Sequence, residues 1–156
     1  LPNYRLLTRV TNLASFEQID QQFQHLINWA KARQLTNENT QCFGLFMDHP
    51  LFTELSKCHY QVALTIEPSL ELDPSSLPLN DVQLMEISSA QYACIPVGNS
   101  INQLLKDLTL FWKLWLPKSG YQIVHEPGIH LPRLDLQKHS FLINDFQLCV
   151  KVVPKQ

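Results

Sequence analysis

The sequence predicts an α+β domain: a curved antiparallel sheet of about eight strands with two helices on one face. Two observations carry this. Two segments show apolar residues at helical spacing behind a matching start signal, while much of the remaining chain divides into short apolar runs ended by proline, glycine or asparagine. The start signal repeats, since Ser15 with Gln18 and Ser100 with Gln103 each form a hydroxyl-x-x-Gln capping box, separated by the same 85 positions. That repeat reads as an internal duplication: one domain over residues 1–156, made of two pseudo-repeats at about 1–70 and 80–156.

Taken in order, Tyr4 to Val10 is an apolar-rich run expected to form the first strand. The first helix starts at the Ser15 cap, runs to about Arg33 and carries Phe16, Ile19, Phe23, Leu26, Ile27 and Ala30 on one face. Gln41 to Met47 is the next strand, in which Gly44 permits close approach of a backbone or ligand. Asp48-His49-Pro50 ends it. His59 to Glu67 alternates well enough to predict a half-buried antiparallel strand. The proline- and leucine-bearing stretch from Pro68 to Asp81 is a connector between the units, followed by strands at Val82 to Ser88 and Gln91 to Val97. Ser100 then opens the second helix, whose apolar face carries Ile101, Leu104, Leu105, Leu108, Trp112 and Trp115 up to the stop at Pro117 and Gly120. Strands are expected at Tyr121 to Glu126, Ile129 to Leu134 and Phe146 to Val153, while Leu136 to Asp145 gives no readable pattern.

Composition excludes several functions. The net charge is −2, with 45% hydrophobic and 17% charged residues, and no cluster of Lys and Arg offers a footprint for nucleic acid. No apolar run reaches the roughly 20 residues that span a bilayer. The four cysteines form no Cys-x-x-Cys pair and three fall in apolar runs, so all are expected reduced and structural, in a cytoplasmic protein. The start at Leu1-Pro2, without methionine, is expected of a piece of a longer chain.

Candidate chemistry is sparse. Cys58-His59 adjoin in sequence, but neighbours on a strand point to opposite faces, which argues against a thiolate–imidazole pair. The six histidines show no His-x-x-x-His spacing; only His125 and His130, across a turn, could share a cavity, and no metal or cofactor is expected. Glu86 and Glu126 lie in or beside strands, where a carboxylate facing aromatics attracts a cation. Trp112 reads as core, whereas Trp115, next to Leu116-Pro117, is placed to wall a pocket. With only four glycines, phosphate loops are excluded.

Phe43-Gly44-Leu45-Phe46-Met47-Asp48-His49-Pro50, the alternating Tyr60 to Glu67 strand, Tyr92-Ala93 and above all Trp115-Leu116-Pro117-Lys118-Ser119-Gly120-Tyr121 occur in that order. Together they resemble the GyrI-like (gyrase-inhibitor-like) effector-binding domain of AraC-type transcription regulators, over nearly the whole chain. The resemblance implies a duplicated β-α-β-β module whose central groove accepts small aromatic or cationic molecules. It also implies a separate helix-turn-helix segment for DNA, which this chain does not contain. Where the family places a glutamate three residues beyond a proline, this chain has His130 after Pro127, and Pro132 stands where an aromatic is usual. Glu126 is the nearby carboxylate able to answer a cation. The expected ligand contacts are therefore Phe46, Tyr92, Trp112 and Trp115, with Glu126 and His130 supplying polarity. No catalytic residue is expected. The expected function is a non-enzymatic sensor; the alternatives are a free-standing protein-interaction module and a hydrolase acting on reactive small molecules.

Overall fold

Alternating apolar residues force a strand to cover one layer or two, and the first four elements do both. The computed structural model describes residues 3–12, 16–48, 53–54, 57–72, 82–97, 101–124, 128–132 and 146–156. Strand β1 (Tyr4–Asn12) leads to helix α1 (Phe16–Ala32), then β2 (Cys42–Phe46) and β3 (His59–Ile66). β3 pairs antiparallel with both β1 and β2, giving the order β1-β3-β2. Strand β4 (Gln83–Ile87) adds to the outside of β1.

The second half repeats this wiring. β5 (Tyr92–Val97) leads to α2 (Ile101–Leu110), then to β6 (Tyr121–Ile123), β7 (Gly128–Pro132) and β8 (Phe146–Pro154). β8 pairs with both β5 and β7, so β5-β8-β7 mirrors β1-β3-β2, and β2 meets β7 antiparallel at the centre. The result is an open sheet of eight strands ordered β4-β1-β3-β2-β7-β8-β5, with β6 against the far end of β8. This is the expected α+β fold built on a duplicated β-α-β-β module. The capping serines Ser15 and Ser100 and most of the connector lie outside the described residues.

Both helices rest on one face of the sheet. α1 buries Ile19, Phe23, Leu26, Ile27 and Ala30, and α2 buries Leu104 and Leu108, against Leu7, Cys42, Phe46, Tyr60, Val62, Leu64, Ile66 and Leu148. Each buried Val, Leu, Ile or Phe among these contributes about 1.5–3 kcal/mol. The alternate residues Leu6, Phe43, Leu45, Ala63, Ile129 and Cys149 form a second buried cluster, with Tyr4, Met85, Ile87 and Tyr92 packed against it. β3 is therefore buried on both faces after its first residue, a correction to the half-buried strand expected from its alternation. Its small and hydroxyl residues, Ala63 and Thr65, disguise an inward face as a polar one. α1 ends without glycine: Gln34 takes φ 57°, and the amides of Gln34 and Leu35 return to the carbonyls of Lys31 and Ala30, each at 3.0 Å. That is a Schellman closure, completed by Leu35 packing on the helix-side core.

Gly44 is required by a side chain. A Cβ there would overlap the hydroxyl end of the fully buried Tyr60, whose ring also meets Phe46 edge-on at 5.2 Å. The close approach foreseen at Gly44 is thus made by the protein's own phenol ring.

The cysteines correct another expectation. Cys42 and Cys58 are free and buried, but Cys94 and Cys149 form a disulfide between β5 and β8. They are direct cross-strand partners with Cα atoms 4.2 Å apart, the narrow kind of antiparallel pair, and neither apolar pattern nor sequence spacing displays register. Pro96, two residues along β5, shares this register, so its missing N–H falls on the open edge of the sheet and costs no ladder bond.

Gly44→Ala is expected to lower stability by about 2 kcal/mol, read as a lower urea midpoint at unchanged slope. Combined with Tyr60→Leu the losses should be less than additive, because the second change removes the ring that the first one strikes. Burial pushes the Cys42 thiol up to about 12 and the Tyr60 phenol well above its ordinary 10.0. The folded state thus holds protons that the unfolded chain releases above about 9. The contribution of these two groups should be level below that pH and fall as pH rises beyond it, and Cys42→Ala should flatten the first part of the fall in a pH series of melting temperatures.

Candidate functional site

The second helix does not continue to its proline as a regular α-helix. After α2, Phe111–Trp115 forms a π-helical turn closed by the Leu116 N–H on the Phe111 carbonyl, and Leu116–Lys118 forms a 3-10 turn. Pro117 supplies a physical cause, since it has no N–H to donate and its ring crowds the carbonyl four residues back, that of Lys113. The widened turn rotates the helix surface. Phe111 takes the buried position, Trp112 is part-buried, and Leu114 and Trp115 turn outward with 57% and 43% of their surface exposed.

Beyond the proline, the Leu116-Pro117-Lys118-Ser119-Gly120-Tyr121 segment is a built turn. The Ser119 hydroxyl donates to the Leu116 carbonyl at 2.9 Å and accepts from the Tyr121 amide at 3.1 Å. Gly120 reverses the chain at φ 74°, and its carbonyl accepts from Lys155 at 2.8 Å. The turn delivers Tyr121 parallel to Trp115, ring centres 6.4 Å apart and 9° between planes. Phe111 stacks on the same indole at 5.1 Å and 18°, and meets Trp112 edge-on at 6.3 Å. Trp115 is thereby held by two rings while part of its surface stays in solvent.

This aromatic ledge walls a cavity of about 480 Å³ between the end of α2 and β5. Leu110, Phe111, Leu114 and Trp115 form one side, Ala93 to Pro96 the other, and Asp107 is the one carboxylate among the described lining residues, accepting a hydrogen bond from Gln103 at 3.0 Å. The size suits a small organic ligand and the lining is mainly apolar. A smaller cavity of about 200 Å³ at the other end of the sheet is lined by several polar residues, two of which are engaged nearby: Arg5 bonds the Leu70 carbonyl and Asn37 reaches Glu67.

Of the six residues expected at the site, Trp115 lines the large cavity and Trp112 lies behind it against Phe111. Phe46 is buried beside Tyr60 under the helices, and Tyr92 packs on the second cluster, across the sheet. His130 stands in β7 in register with Gly44 of β2 and Leu148 of β8; its side chain and all of Glu126 lie outside the described residues. The structure therefore does not bring Phe46 or Tyr92 to Trp115. Glu86 is exposed on β4, opposite Arg5. Sequence reasoning missed Asp107, Leu110, Phe111 and Leu114; the signal was Pro117, which could have announced a disturbed turn in front of it.

No reactive thiol emerges. Burial, and secondarily the charge of Asp48, raise the Cys58 thiol, whose sulfur lies 3.5 Å from the Thr53 carbonyl. His59 turns instead to Asp48 at 2.8 Å on the surface, and its main-chain amide and ring hold that carboxyl below the usual range. Among the described residues, no three His, Cys, Asp or Glu side chains converge as metal ligands, and no helix is long and apolar enough to cross a membrane.

Residues 6–131 match the family model of the GyrI-like small-molecule-binding domain, most of the chain. The chain belongs to the GyrI-like family. Among solved structures, this GyrI-like chain is similar to EcmrR in an EcmrR–DNA complex within EcmrR-RPo, with a TM-score of 0.74 and 10% identity over 99% of this chain and 56% of that one. It thus spans little more than half the length of that EcmrR chain. The isolated EcmrR C-terminal domain gives 0.72 and 11%, with 99% and 94% covered. A hydrolase from Listeria innocua gives 0.59 and 9%, with 98% and 89% covered. SAV2435 bound to tetraphenylphosphonium gives 0.54 and 11%, with 98% and 90% covered. At these identities the likeness is one of fold. A search of curated protein sequences finds no match.

Gly120→Ala is expected to cost about 1 kcal/mol, from the left-handed backbone alone because a Cβ there meets nothing within 4 Å. Gly120→Asn should cost less. Near-UV circular dichroism of the alanine variant should show a weakened Trp115–Tyr121 signal, and an unchanged spectrum would contradict the role given to this turn.

Proposed function

We propose that this GyrI-like domain is the effector-sensing part of a bacterial transcription regulator, working in the cytoplasm and without catalysis. One observation carries the reading: the apolar cavity between α2 and β5, walled by an indole that Phe111 and Tyr121 hold in place. The ligand is a small aromatic or lipophilic molecule that covers the exposed part of Trp115. Asp107 is the charge a cation would meet there, and His130, at the central strand junction, is a second polar position for ligand contact. Residues 1–156 act as a single domain of two pseudo-repeats, about 1–70 and 80–156. DNA contact belongs to a separate segment, a reading supported by the DNA-bound state of EcmrR, of which this chain matches 56%. These neighbours lend no support to an AraC affiliation in particular, so the proposal stops at a regulator.

The likeness to a Listeria hydrolase raises the enzymatic alternative. Acid–base hydrolysis needs two cooperating groups, and the described lining offers one carboxylate. The exposed Leu110 and Leu114 favour a second reading, in which the same ledge receives a protein segment.

Fluorescence titration with tetraphenylphosphonium, anilinonaphthalene sulfonate and a neutral naphthalene separates these readings. At least one probe should bind and change tryptophan emission, Trp115→Ala should weaken it by roughly tenfold or more, and Asp107→Asn should weaken the cation alone. His130→Glu should strengthen the cation if the central junction also contributes. Failure of all three probes, with Trp115→Ala folded and indistinguishable, would rule out a sensor at this cavity and favour the protein-docking reading.

A further inference from the structure

We propose that the Cys94–Cys149 disulfide is a redox latch on the α2–β5 cavity: oxidised, it holds β5 as a rigid wall, and reduced, it lets that wall loosen and ligand affinity fall. The proposal rests on the cavity being the effector site. Its grounds are positional. Cys94 itself lines the cavity, and its neighbours Ala93, Ile95 and Pro96 make up the rest of that wall. Among the described residues β5 ends the sheet order, with β8 as its one strand neighbour, so the cross-link and the β5–β8 ladder act on the same seam.

The two sulfurs differ in access. Cys94 is exposed at the open edge, whereas Cys149 is fully buried in the second cluster. An external dithiol therefore attacks through one of its thiolates at the Cys94 sulfur. The Cys149 sulfur leaves with the bonding pair and takes a proton. The second thiol of the reductant then attacks its own sulfur in the mixed disulfide, releasing Cys94 as a thiol. Two protein thiols and one cyclic oxidised dithiol result, a two-electron exchange that a disulfide-class oxidant reverses. The remaining thiols do not interfere, because Cys42 and Cys58 are buried in the helix-side cluster on the opposite face. The couple is thus separated from the other two cysteines by the sheet itself.

Binding and redox state must then be coupled reciprocally: a ligand that prefers the oxidised form by some factor makes the disulfide harder to reduce by the same factor. This gives the latch a signature that a merely structural cross-link lacks.

The test uses the whole chain, fully oxidised or reduced with dithiothreitol, with thiols counted by alkylation and mass spectrometry. On reduction, amide hydrogen exchange at Ala93, Ile95 and neighbouring β5 residues should speed up at least tenfold while β2 and β3 stay protected. Anilinonaphthalene sulfonate and tetraphenylphosphonium should each bind the oxidised form more tightly, by roughly tenfold, and whichever binds should raise the dithiothreitol needed for half-reduction by a matching factor. Cys94→Ala/Cys149→Ala should behave as the reduced form whatever the oxidant, and Cys42→Ser/Cys58→Ser should keep the redox response. Unchanged β5 exchange overturns the latch whether or not any probe binds, and so does a pair that glutathione disulfide leaves as thiols. Equal affinities in both states, with Trp115→Ala still losing the probe, overturn the latch and leave the effector site standing. Faster β5 exchange without Trp115-dependent binding in either state overturns the effector site, and with it the latch as a control on ligand.

Discussion

Main-chain hydrogen bonds between β2 and β7 join the two halves of the molecule through the registered pairs Gly44–His130, Leu45–Ile129 and Phe46–Gly128. The helix-side packing beside that seam depends on the close approach that Gly44 allows. Gly44 lets the Tyr60 ring lie over the strand beside it, and Phe46 packs edge-on against that ring. A larger residue at position 44 would lift the phenol into the helices. The helix side of the sheet beside Gly44 is consequently filled by Tyr60 and Phe46. The open apolar cavity lies away from it, at the β5 end of the second module.

The asymmetry between the two modules is what opens a cavity beside one of them. α1 runs seventeen residues without interruption, closes on a Schellman turn at Gln34 and puts its apolar face into the core. α2 also buries an apolar face, through Leu104 and Leu108, but meets Pro117, and the π-helical turn ahead of it puts Phe111 in the core while turning Leu114 and Trp115 outward. Ser119, Gly120 and Tyr121 then fold back to brace the exposed indole. A duplicated module has thus kept its scaffold in both copies and diverted the end of one helix to make a ledge. In the regulator proposed above, a ligand seated there would signal only through a difference in affinity between two states of the whole protein.

Much of this was legible in the residues. Helical spacing located both helices and the face that α1 buries, and alternation with proline and glycine breaks located most strands, because these are local properties of the chain. The Trp115-to-Tyr121 segment announced the turn that closes the second helix, because Pro117, Ser119 and Gly120 are local turn residues. What stayed hidden was non-local. Strand register pairs Cys94 with Cys149 across 55 positions, and no apolar pattern shows that. Small residues on β3 masked its second buried face. The sheet also separates Tyr92 from Trp115, although both are aromatics near predicted strand and helix ends. Aromatic content suggested one pocket, and topology distributed those rings over a core, a far face and a ledge.

Nitrogen-15 chemical-shift mapping of the oxidised chain during addition of tetraphenylphosphonium, repeated with a neutral naphthalene, tests the central claim most directly. The account predicts that the largest shifts fall on the Trp115 indole N–H and on the amides of Ala93, Cys94, Ile95, Leu110 and Leu114. Shifts centred instead on Gly44, Ile129 and Leu148, with the Trp115 indole unmoved, would place the ligand at the strand junction and contradict it.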